Sequence, residues 1–332
     1  MRLSLTPTIF ARGLVLALLI CASGGPARSQ EWPTRPIRII VSAAAGGPID
    51  VFGRVLADRL GRELGQSAVI DNIPGAGGAI GGQHVAHAPP DGYTVLLGTS
   101  ATHTFSQLLY KTPLYDARAD FAPVALVAEI PLVLIVRKDL PVHTMAEFAA
   151  YARANAAGMN YGSAGVGSST HLGCALLTSV IGVDINHVPY KGTGPAMQDL
   201  MAGRIDFLCE IVVTAAAQVQ ADNVRAIATM APDRSPVLPD TPTTVESGFP
   251  ALQADSFTGL FLPRGASPAV VARLNAATRV AMDDAELRDK LARLGASIVG
   301  PERRAPEYLA GYVGAEIDKW RKIVDASGIP PQ

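Results

Sequence analysis

Two loops rich in glycine and other small residues each lie between a predicted β-strand and a predicted amphipathic helix. The first loop, residues 41–50, reads VSAAAGGPID, and the second, residues 161–171, reads YGSAGVGSSTH. A small-residue loop that opens a helix leaves backbone N–H groups without intrahelical acceptors, with the positive end of the helix dipole behind them. Such a site binds anions without lysine or arginine. Two such loops, far apart in the sequence, predict two lobes that hold one small anion between them.

The N-terminal segment has the pattern of an export signal. Arg2 and Arg12 precede an apolar run over residues 14–20, and small residues and a proline follow, up to residue 30. A basic region, a short apolar region and a small-residue cleavage zone are typical of a secretory signal peptide. The apolar run is well short of the roughly 20 residues that a spanning helix needs, which argues against a membrane anchor. We expect residues 1–29 to be a signal peptide and the mature protein to be periplasmic.

Charge and cysteine content narrow the classes of function. The chain has 28 Lys and Arg residues against 29 Asp and Glu residues and no basic run, which argues against a nucleic-acid partner. Beyond the leader it has Cys174 and Cys209, with no Cys/His spacing typical of a metal site, so we expect neither metal nor cofactor. An oxidising compartment would allow a disulfide between these two cysteines, but the apolar residues that flank them favour two buried free thiols.

Short β-branched runs alternate with helical patterns along most of the chain. This βα rhythm predicts an α/β protein in which each of two lobes is a mainly parallel sheet flanked by helices. Two strands, interrupted at residues 129–131, and a later extended stretch at residues 252–262 predict two crossover strands between the lobes, and hence a hinge. The predicted division assigns residues 30–129 and 255–332 to the first lobe and residues 130–254 to the second.

Two motifs suggest catalysis or cofactor binding, and each has an ordinary alternative. The glycines of residues 75–81 depart from the dinucleotide-binding spacing, so an ordinary loop is favoured. Ser163 and its neighbours, together with His171, suggest an exported hydrolase. The sequence around Ser163 lacks the Gly-x-Ser-x-Gly elbow, and a Ser/His pair within one loop seldom has triad geometry. We therefore expect no catalysis, and expect Ser168, Ser169 or Thr170 to cap the following helix.

Three further polar residues lie at the ends of predicted strands or the starts of helices. Asp50 begins its helix, where it either caps the helix or contacts ligand. Glu210 follows a strand at the expected cleft edge, and His103 follows the strand that ends near Gly98. A solvated or structural side chain is the alternative for each of these positions.

A series of short motifs runs in order along nearly the whole mature chain. They are WPTRPIRIIV at 32–41, AGGxxD at 45–50, NxPGAGG at 72–78, PDGYT at 90–94, GTSATH at 98–103, DFAPV at 120–124, NYGSAG at 160–165, HVPYKG at 187–192, GPA at 194–196 and LPDxPT at 238–243. Together they resemble the motifs of Bug-type periplasmic solute receptors, the substrate-binding component of tripartite tricarboxylate transporters.

The resemblance implies a two-lobe Venus-flytrap fold without catalysis, and a receptor that delivers a small organic carboxylate to membrane transporter subunits. Family members hold a carboxylate through loop backbone groups and ordered water, which here implies cradles at residues 43–50 and 163–169. We also expect a monomer. The expected ligand-binding residues are Ala43, Ala44, Gly46, Gly47, Asp50, Ser100, His103, Ser163, Ala164, Gly165, Ser168, Ser169 and Glu210.

The chain departs from the family pattern at positions that bear on the ligand. Ser42 and Ala43 stand where the family usually has Pro-Phe, Ile49 where a hydroxyl residue is common, and Glu210 where aspartate is usual. These departures predict an acid larger or more apolar than a small dicarboxylate, including an aromatic one. An exported Ser/His hydrolase and a ligand sensor that acts without a transporter remain as alternatives.

Overall fold

The computed structural model describes residues 32–166 and 168–326, so the predicted signal peptide lies outside the described residues. In that part of the chain the strands are β1 (Ile37–Val41), β2 (Ala68–Asn72), β3 (Thr94–Thr99), β4 (Phe121–Arg137), β5 (Asn160–Ser163), β6 (Asn186–Pro189), β7 (Phe207–Ile211), β8 (Val224–Thr229), β9 (Asp255–Pro263) and β10 (Ser297–Ile298).

Helices pack against the strands of both groups. They are α1 (Pro48–Leu64), α2 (Ala79–Ala86), α3 (Met145–Asn155), α4 (Ser169–Ile181), α5 (Thr193–Met201), α6 (Val212–Gln220), α7 (Pro268–Asp283), α8 (Ala285–Arg293) and α9 (Pro306–Ala326). Shorter helical turns are Ala76–Gly78, the π-helical Ala101–Phe105, Ser106–Leu108, Ala156–Gly158 and Pro301–Arg303. None of the described helices is both long and apolar enough to cross a membrane.

The sheet has the strand order β2-β1-β3-β9-β4-β7-β5-β6, and β8 and β10 also pair with β4. Pairs β1–β2 and β1–β3 at one end, and β5–β6 and β5–β7 at the other, are parallel, as the βα rhythm predicts. The antiparallel pairs are those of β4 with β7, β8, β9 and β10, and of β9 with β3. Two groups of parallel strands joined through β4 and β9 make the two-lobe α/β fold that the sequence predicts.

The two crossover segments lie side by side. Ile130 pairs with Ser256 and Pro131 with Asp255, in the antiparallel β4–β9 ladder. The prediction of two separate strands broken at this point is wrong, because β4 is one strand of 17 residues. Pro131 lies where β4 changes neighbours, after its β10 pairing and before its β7 pairing, a position that tolerates a residue without an N–H. The predicted lobe boundaries fall at this change of partners and stay a prediction.

The second group of strands packs closely against α4. Cys174 of α4 and Cys209 of β7 form a disulfide with their Cα atoms 5.4 Å apart, and both residues are buried. The prediction of two buried thiols is therefore wrong, because α4 lies directly against β7. A Cβ on Gly173 would lie 2.4 Å from Leu132 Cδ1 and 3.3 Å from Cys209 Cβ, so glycine permits this approach.

Candidate functional site

Two adjoining cavities, of about 370 and 320 Å³, lie where residues of the two predicted lobes face each other across β4 and β9, and both are lined by Gly77, Ala101 and Ser256. We call the larger the loop chamber, which is lined by Gly77, Tyr110, Val166, Ser168, Ser169 and Ser256 among others. The smaller is the aliphatic chamber, whose apolar wall consists of Ala43, Ile49, Leu97, Ile130, Ile211 and Val213. No charged side chain is among the described lining residues of either chamber.

Helix N-termini from both lobes contribute to the cleft walls. Ser168 is the N-cap of α4 and Ser169 its first residue, and both line the loop chamber. Gly78, the N-cap of α2, and the first turns of α1 and α6 line the aliphatic chamber through Ile49 and Val213. The first N–H groups of a helix have no intrahelical acceptor, so these ends attract negative charge into a cleft whose described walls carry no basic side chain.

Asp50 holds the first glycine-rich loop in place through hydrogen bonds. Its Oδ2 accepts hydrogen bonds from Gly46 N at 2.8 Å and Arg54 Nε at 3.0 Å, and its Oδ1 accepts one from Asn72 Nδ2 at 3.0 Å. The same Asn72 amide donates to Ala43 O at 3.0 Å. The hydrogen bonds from Arg54 and Gly46 lower the pKa of Asp50 to about 2. The buried carboxylate is thus ionised and fixes the loop at both ends.

The sequence left open whether Asp50 caps its helix or contacts ligand, and the structure excludes the cap. Helix α1 begins at Pro48 with Gly47 as N-cap, so Asp50 lies within the first turn. A carboxylate in the first turn of a helix is favoured by the helix dipole. Asp50 therefore lies close to the positive end of α1, but its oxygens accept hydrogen bonds from the preceding loop, Arg54 and Asn72 rather than from the first N–H groups of the helix.

Ser168 organises the second glycine-rich loop. Its Oγ accepts a hydrogen bond from His171 N at 3.2 Å, as an N-cap does, and donates one to Gly165 O at 2.7 Å. Thr170 Oγ1 accepts a hydrogen bond from Ala164 N at 2.9 Å. Of the three residues that the sequence offered as caps for α4, Ser168 is the one that caps it. Its cap and the Thr170 contact hold the loop against the first turn of α4.

Ser163 is paired with a histidine that sequence reasoning did not select. Its Oγ lies 2.7 Å from His187 Nε2 and accepts a hydrogen bond from Gly165 N at 3.1 Å. The His187 ring stacks on His171 at 3.9 Å and on Tyr161 at 4.9 Å. Burial lowers the pKa of both histidines to about 4, helped at His171 by the neighbouring His187. These neutral rings form a stack beneath the loop, and Ser163 is fully buried.

Ser100 and His103 lie behind the cleft wall. Ser100 Oγ accepts a hydrogen bond from Phe257 N at 3.0 Å, which ties the end of β3 to the crossover strand β9. The His103 ring stacks on Phe261 at 3.7 Å, and its Nδ1 lies 2.9 Å from Thr102 Oγ1. Burial lowers the pKa of His103 to about 3, so the ring is neutral at pH 7. Both side chains are fully buried and therefore support the wall rather than form it.

Glu210 occupies the N-terminal end of α6. Its Oε1 accepts hydrogen bonds from Ile211 N at 2.9 Å and Thr214 Oγ1 at 2.8 Å, and the residue is 1 % exposed. Burial raises the pKa of Glu210, and these hydrogen bonds oppose that rise. Glu210 thus stabilises α6 in the way that Asp50 stabilises α1, from a position next to the aliphatic chamber.

The remaining predicted residues divide between the walls and the loops beside them. Ala43, Ser168 and Ser169 line the chambers. The other predicted loop positions are exposed at Ala44 and Gly46, and partly buried at Gly47, Ala164 and Gly165.

Sequence reasoning missed several wall residues. The turn Ala76–Gly78, which had seemed an ordinary loop, lines the cleft with a positive φ of 47° at Ala76, 60° at Gly77 and 97° at Gly78. Its run of glycines was the available signal, since left-handed backbone favours glycine. Ile130 and Ser256 could also have been identified from the sequence, because they lie on the two predicted crossover strands, and strands that join two lobes must run past the cleft between them. Val213 had no signal, since the helix that carries it was not predicted.

Comparison with known proteins places this chain in a family. Residues 52–329 match the tripartite tricarboxylate transporter family receptor, TctC. BugT of Bordetella pertussis is 32% identical over 317 residues, covering 95% of this chain and 96% of BugT. MatC of Rhodopseudomonas palustris, solved with bound malate, is 40% identical with a TM-score of 0.74, covering 88% of this chain and 100% of MatC. A second R. palustris protein, solved with adipate, is 35% identical with a TM-score of 0.78, covering 91% of this chain and 100% of that protein.

The fold and cleft define a two-lobe solute-binding protein of the periplasmic type, as the related structures are. The chain belongs to the tripartite tricarboxylate transporter family of receptors. The resemblance seen in the sequence motifs is confirmed.

Proposed function

We propose that this protein binds one small organic carboxylate in the cleft between its lobes and delivers it to the membrane subunits of a tripartite tricarboxylate-type transporter. The observation that carries the proposal is a cleft lined by helix N-termini of both lobes and by no charged side chain among its described walls. Neutral walls with oriented N–H groups suit an anion that must be released again. The malate and adipate bound by the two R. palustris relatives support a carboxylate as that anion.

The two predicted cradles have different parts in this proposal. Ser168 and Ser169 contact the carboxylate through hydroxyl and backbone groups, and the backbone of residues 43–47 closes on it from the other lobe. Asp50 acts through the loop, because Gly46, Arg54 and Asn72 already occupy its oxygens. Ser100, His103, Ser163 and Glu210 are buried and hold the surrounding elements in place.

Closure of the cleft couples binding to delivery. The lobes meet at the paired crossover strands β4 and β9, where a hinge rotation needs few dihedral changes. A ligand drives closure only through contacts that improve in the closed state. Here an anion that meets N–H groups of both lobes supplies such contacts. In this proposal the protein acts as a monomer, and residues 1–29 direct its export. A sensor that acts without a transporter would use the same closure, but would signal to another partner protein.

The Ser163–His187 pair is the observation that would favour a hydrolase, and three features oppose that function. Ser163 is fully buried, so its Oγ is out of reach of a substrate carbonyl. The same Oγ is held by Gly165 N. The lowered pKa of His187 makes it a weak general base at pH 7, away from the match to working pH that such catalysis needs. We therefore propose that the protein is a receptor and not an enzyme.

Matched acids and amides test this proposal. Isothermal titration with benzoate, cyclohexanecarboxylate, hexanoate, succinate, malate and adipate is expected to give binding by at least one acid. The corresponding primary amide is expected to bind about 100-fold more weakly, because hydrogen bonds to a charged group are each worth about 1.5–3 kcal/mol. Equal binding of acid and amide, or no binding of any acid at millimolar concentration, would refute a carboxylate receptor.

A further inference from the structure

The two chambers of the cleft differ in whether the helix N-termini in their walls already have an acidic side chain beside them. Asp50 lies in the first turn of α1, and Glu210 accepts a hydrogen bond from the N-cap N–H of α6, so two of the three helices whose N-termini reach the aliphatic chamber have an acidic group beside them. The first turn of α4, at the loop chamber, contains no acidic residue, and neither does that of α2, whose N-cap Gly78 lines the aliphatic chamber. The N-terminus of α4 is therefore a positive helix end open to an external anion at the loop chamber, whereas α1 and α6, at the aliphatic chamber, already have acidic groups beside them.

The walls of the aliphatic chamber offer little to a second charge. Ala43, Ile49 and Leu97 face it from one lobe, Ile130 from the crossover strand, and Ile211 and Val213 from the other lobe. The polar side chains among its described walls are neutral hydroxyls, and that of Thr102 is already engaged with Thr99 N and Thr99 O, at 2.9 and 3.0 Å. An ionised group placed there would be desolvated without a cationic partner, which is strongly unfavourable.

The aliphatic chamber has apolar surface from both lobes, so an apolar ligand group bound there would favour closure of the lobes. A bulky hydrocarbon group would contact Ala43 and Ile49 on one side and Ile211 and Val213 on the other, and its burial would increase as the lobes close. Burial of apolar surface is favourable in proportion to its area. Such a group therefore contributes to closure in the same way as the carboxylate, through contacts that both lobes share.

We infer that the ligand is a monocarboxylate with a bulky apolar body, bound with its carboxylate in the loop chamber toward α4 and its hydrocarbon part in the aliphatic chamber. This inference rests on the proposed receptor function and names its substrate class. An aromatic, alicyclic or branched acid has the required shape. A short dicarboxylate would place its second charge among aliphatic side chains.

Titration of one protein preparation with two ligand series tests the inference. Benzoate and cyclohexanecarboxylate form the first series, and succinate, malate and adipate form the second. At least one member of the first series is expected to bind tenfold or more tightly than every dicarboxylate. Tighter binding of a dicarboxylate would overturn the inference while leaving the receptor function standing. Absence of binding in both series would overturn the receptor function itself.

A substitution in the chamber wall gives an independent readout. Ala43→Phe fills part of the aliphatic chamber and is expected to weaken the best bulky acid by tenfold or more, since excess volume in a packed apolar site costs about 1–3 kcal/mol. Acetate, whose methyl group is too short to reach the chamber, is expected to lose much less affinity than the bulky acid, because Ala43 meets a carboxylate only through its backbone. Val280→Phe, a surface position 49% exposed on α7, serves as the matched control and is expected to leave both affinities unchanged. An Ala43→Phe variant that is folded, by its unfolding temperature, and binds the bulky acid as wild type does would contradict the inference.

Discussion

Ser169→Glu is expected to lower the affinity for carboxylates by at least about 100-fold while leaving the protein folded. Ser169 is the first residue of α4 and lines the loop chamber, so a carboxylate there occupies the place of the ligand's own. Two like charges 4 Å apart repel by about 4 kcal/mol at an effective dielectric constant of 20. At the same time, an acidic side chain in the first turn of a helix is stabilising. The variant therefore separates binding from stability, and its unfolding temperature should equal or exceed that of wild type.

Ser169→Gln provides the control for size. Glutamine has nearly the same shape as glutamate and no charge, so it is expected to keep much more of the affinity than the glutamate variant. Calorimetric titration of the three proteins with the same acid compares the effects directly. Similar losses in both variants would mean that the loop chamber excludes volume rather than charge. Unchanged affinity in Ser169→Glu would remove α4 from the binding site.

Loss of the Cys174–Cys209 disulfide is expected to lower the free energy of unfolding by about 4 kcal/mol. The two cysteines are 35 residues apart in sequence, and closing a loop of that length restricts the unfolded chain by roughly this amount. The double variant Cys174→Ser with Cys209→Ser should show the loss as a fall of roughly 5–10 °C in unfolding temperature. The bond also joins α4 to β7, and thus connects the elements that carry Ser169 and Ile211 into the two chambers.

Treatment with a reductant separates the effect of losing the disulfide from the effect of replacing the two cysteine side chains. Dithiothreitol is expected to lower the unfolding temperature of wild type toward that of the double variant and to leave the double variant unchanged. A wild-type protein that reductant leaves unaffected, with free thiols by mass, would contradict the pairing seen in the structure.

Much of the fold was predictable because its signals are local. The mostly β-branched run 37–41 forms β1, and Thr144 with Glu147 forms a capping box at the start of α3, both of which are local patterns of the sequence. The two crossover strands were also predicted, although the proline at 131 suggested a break that does not exist. A proline interrupts a strand only where its missing N–H would be needed, and that depends on neighbours distant in sequence.

The site was predictable in its loops and less so in its walls. A capped helix after small residues is a local pattern, so Ser168 and Ser169 were found. Whether a polar residue faces a cleft or a core depends on packing of distant elements. His103 is surrounded by aromatic side chains from β4 and β9, and Ser163 pairs with His187 on β6. The described walls of the aliphatic chamber come from six separate segments of the chain, and the position of Val213 among them has no counterpart in a local sequence pattern.

Native mass spectrometry of the protein purified from periplasm, before and after mild unfolding, tests the central claim most directly. Retention of a small acid that unfolding releases is the predicted result, and its mass identifies the ligand class. If the native protein carries no small molecule and the panel of carboxylates then fails to shift its unfolding temperature, the assignment as a carboxylate receptor is contradicted.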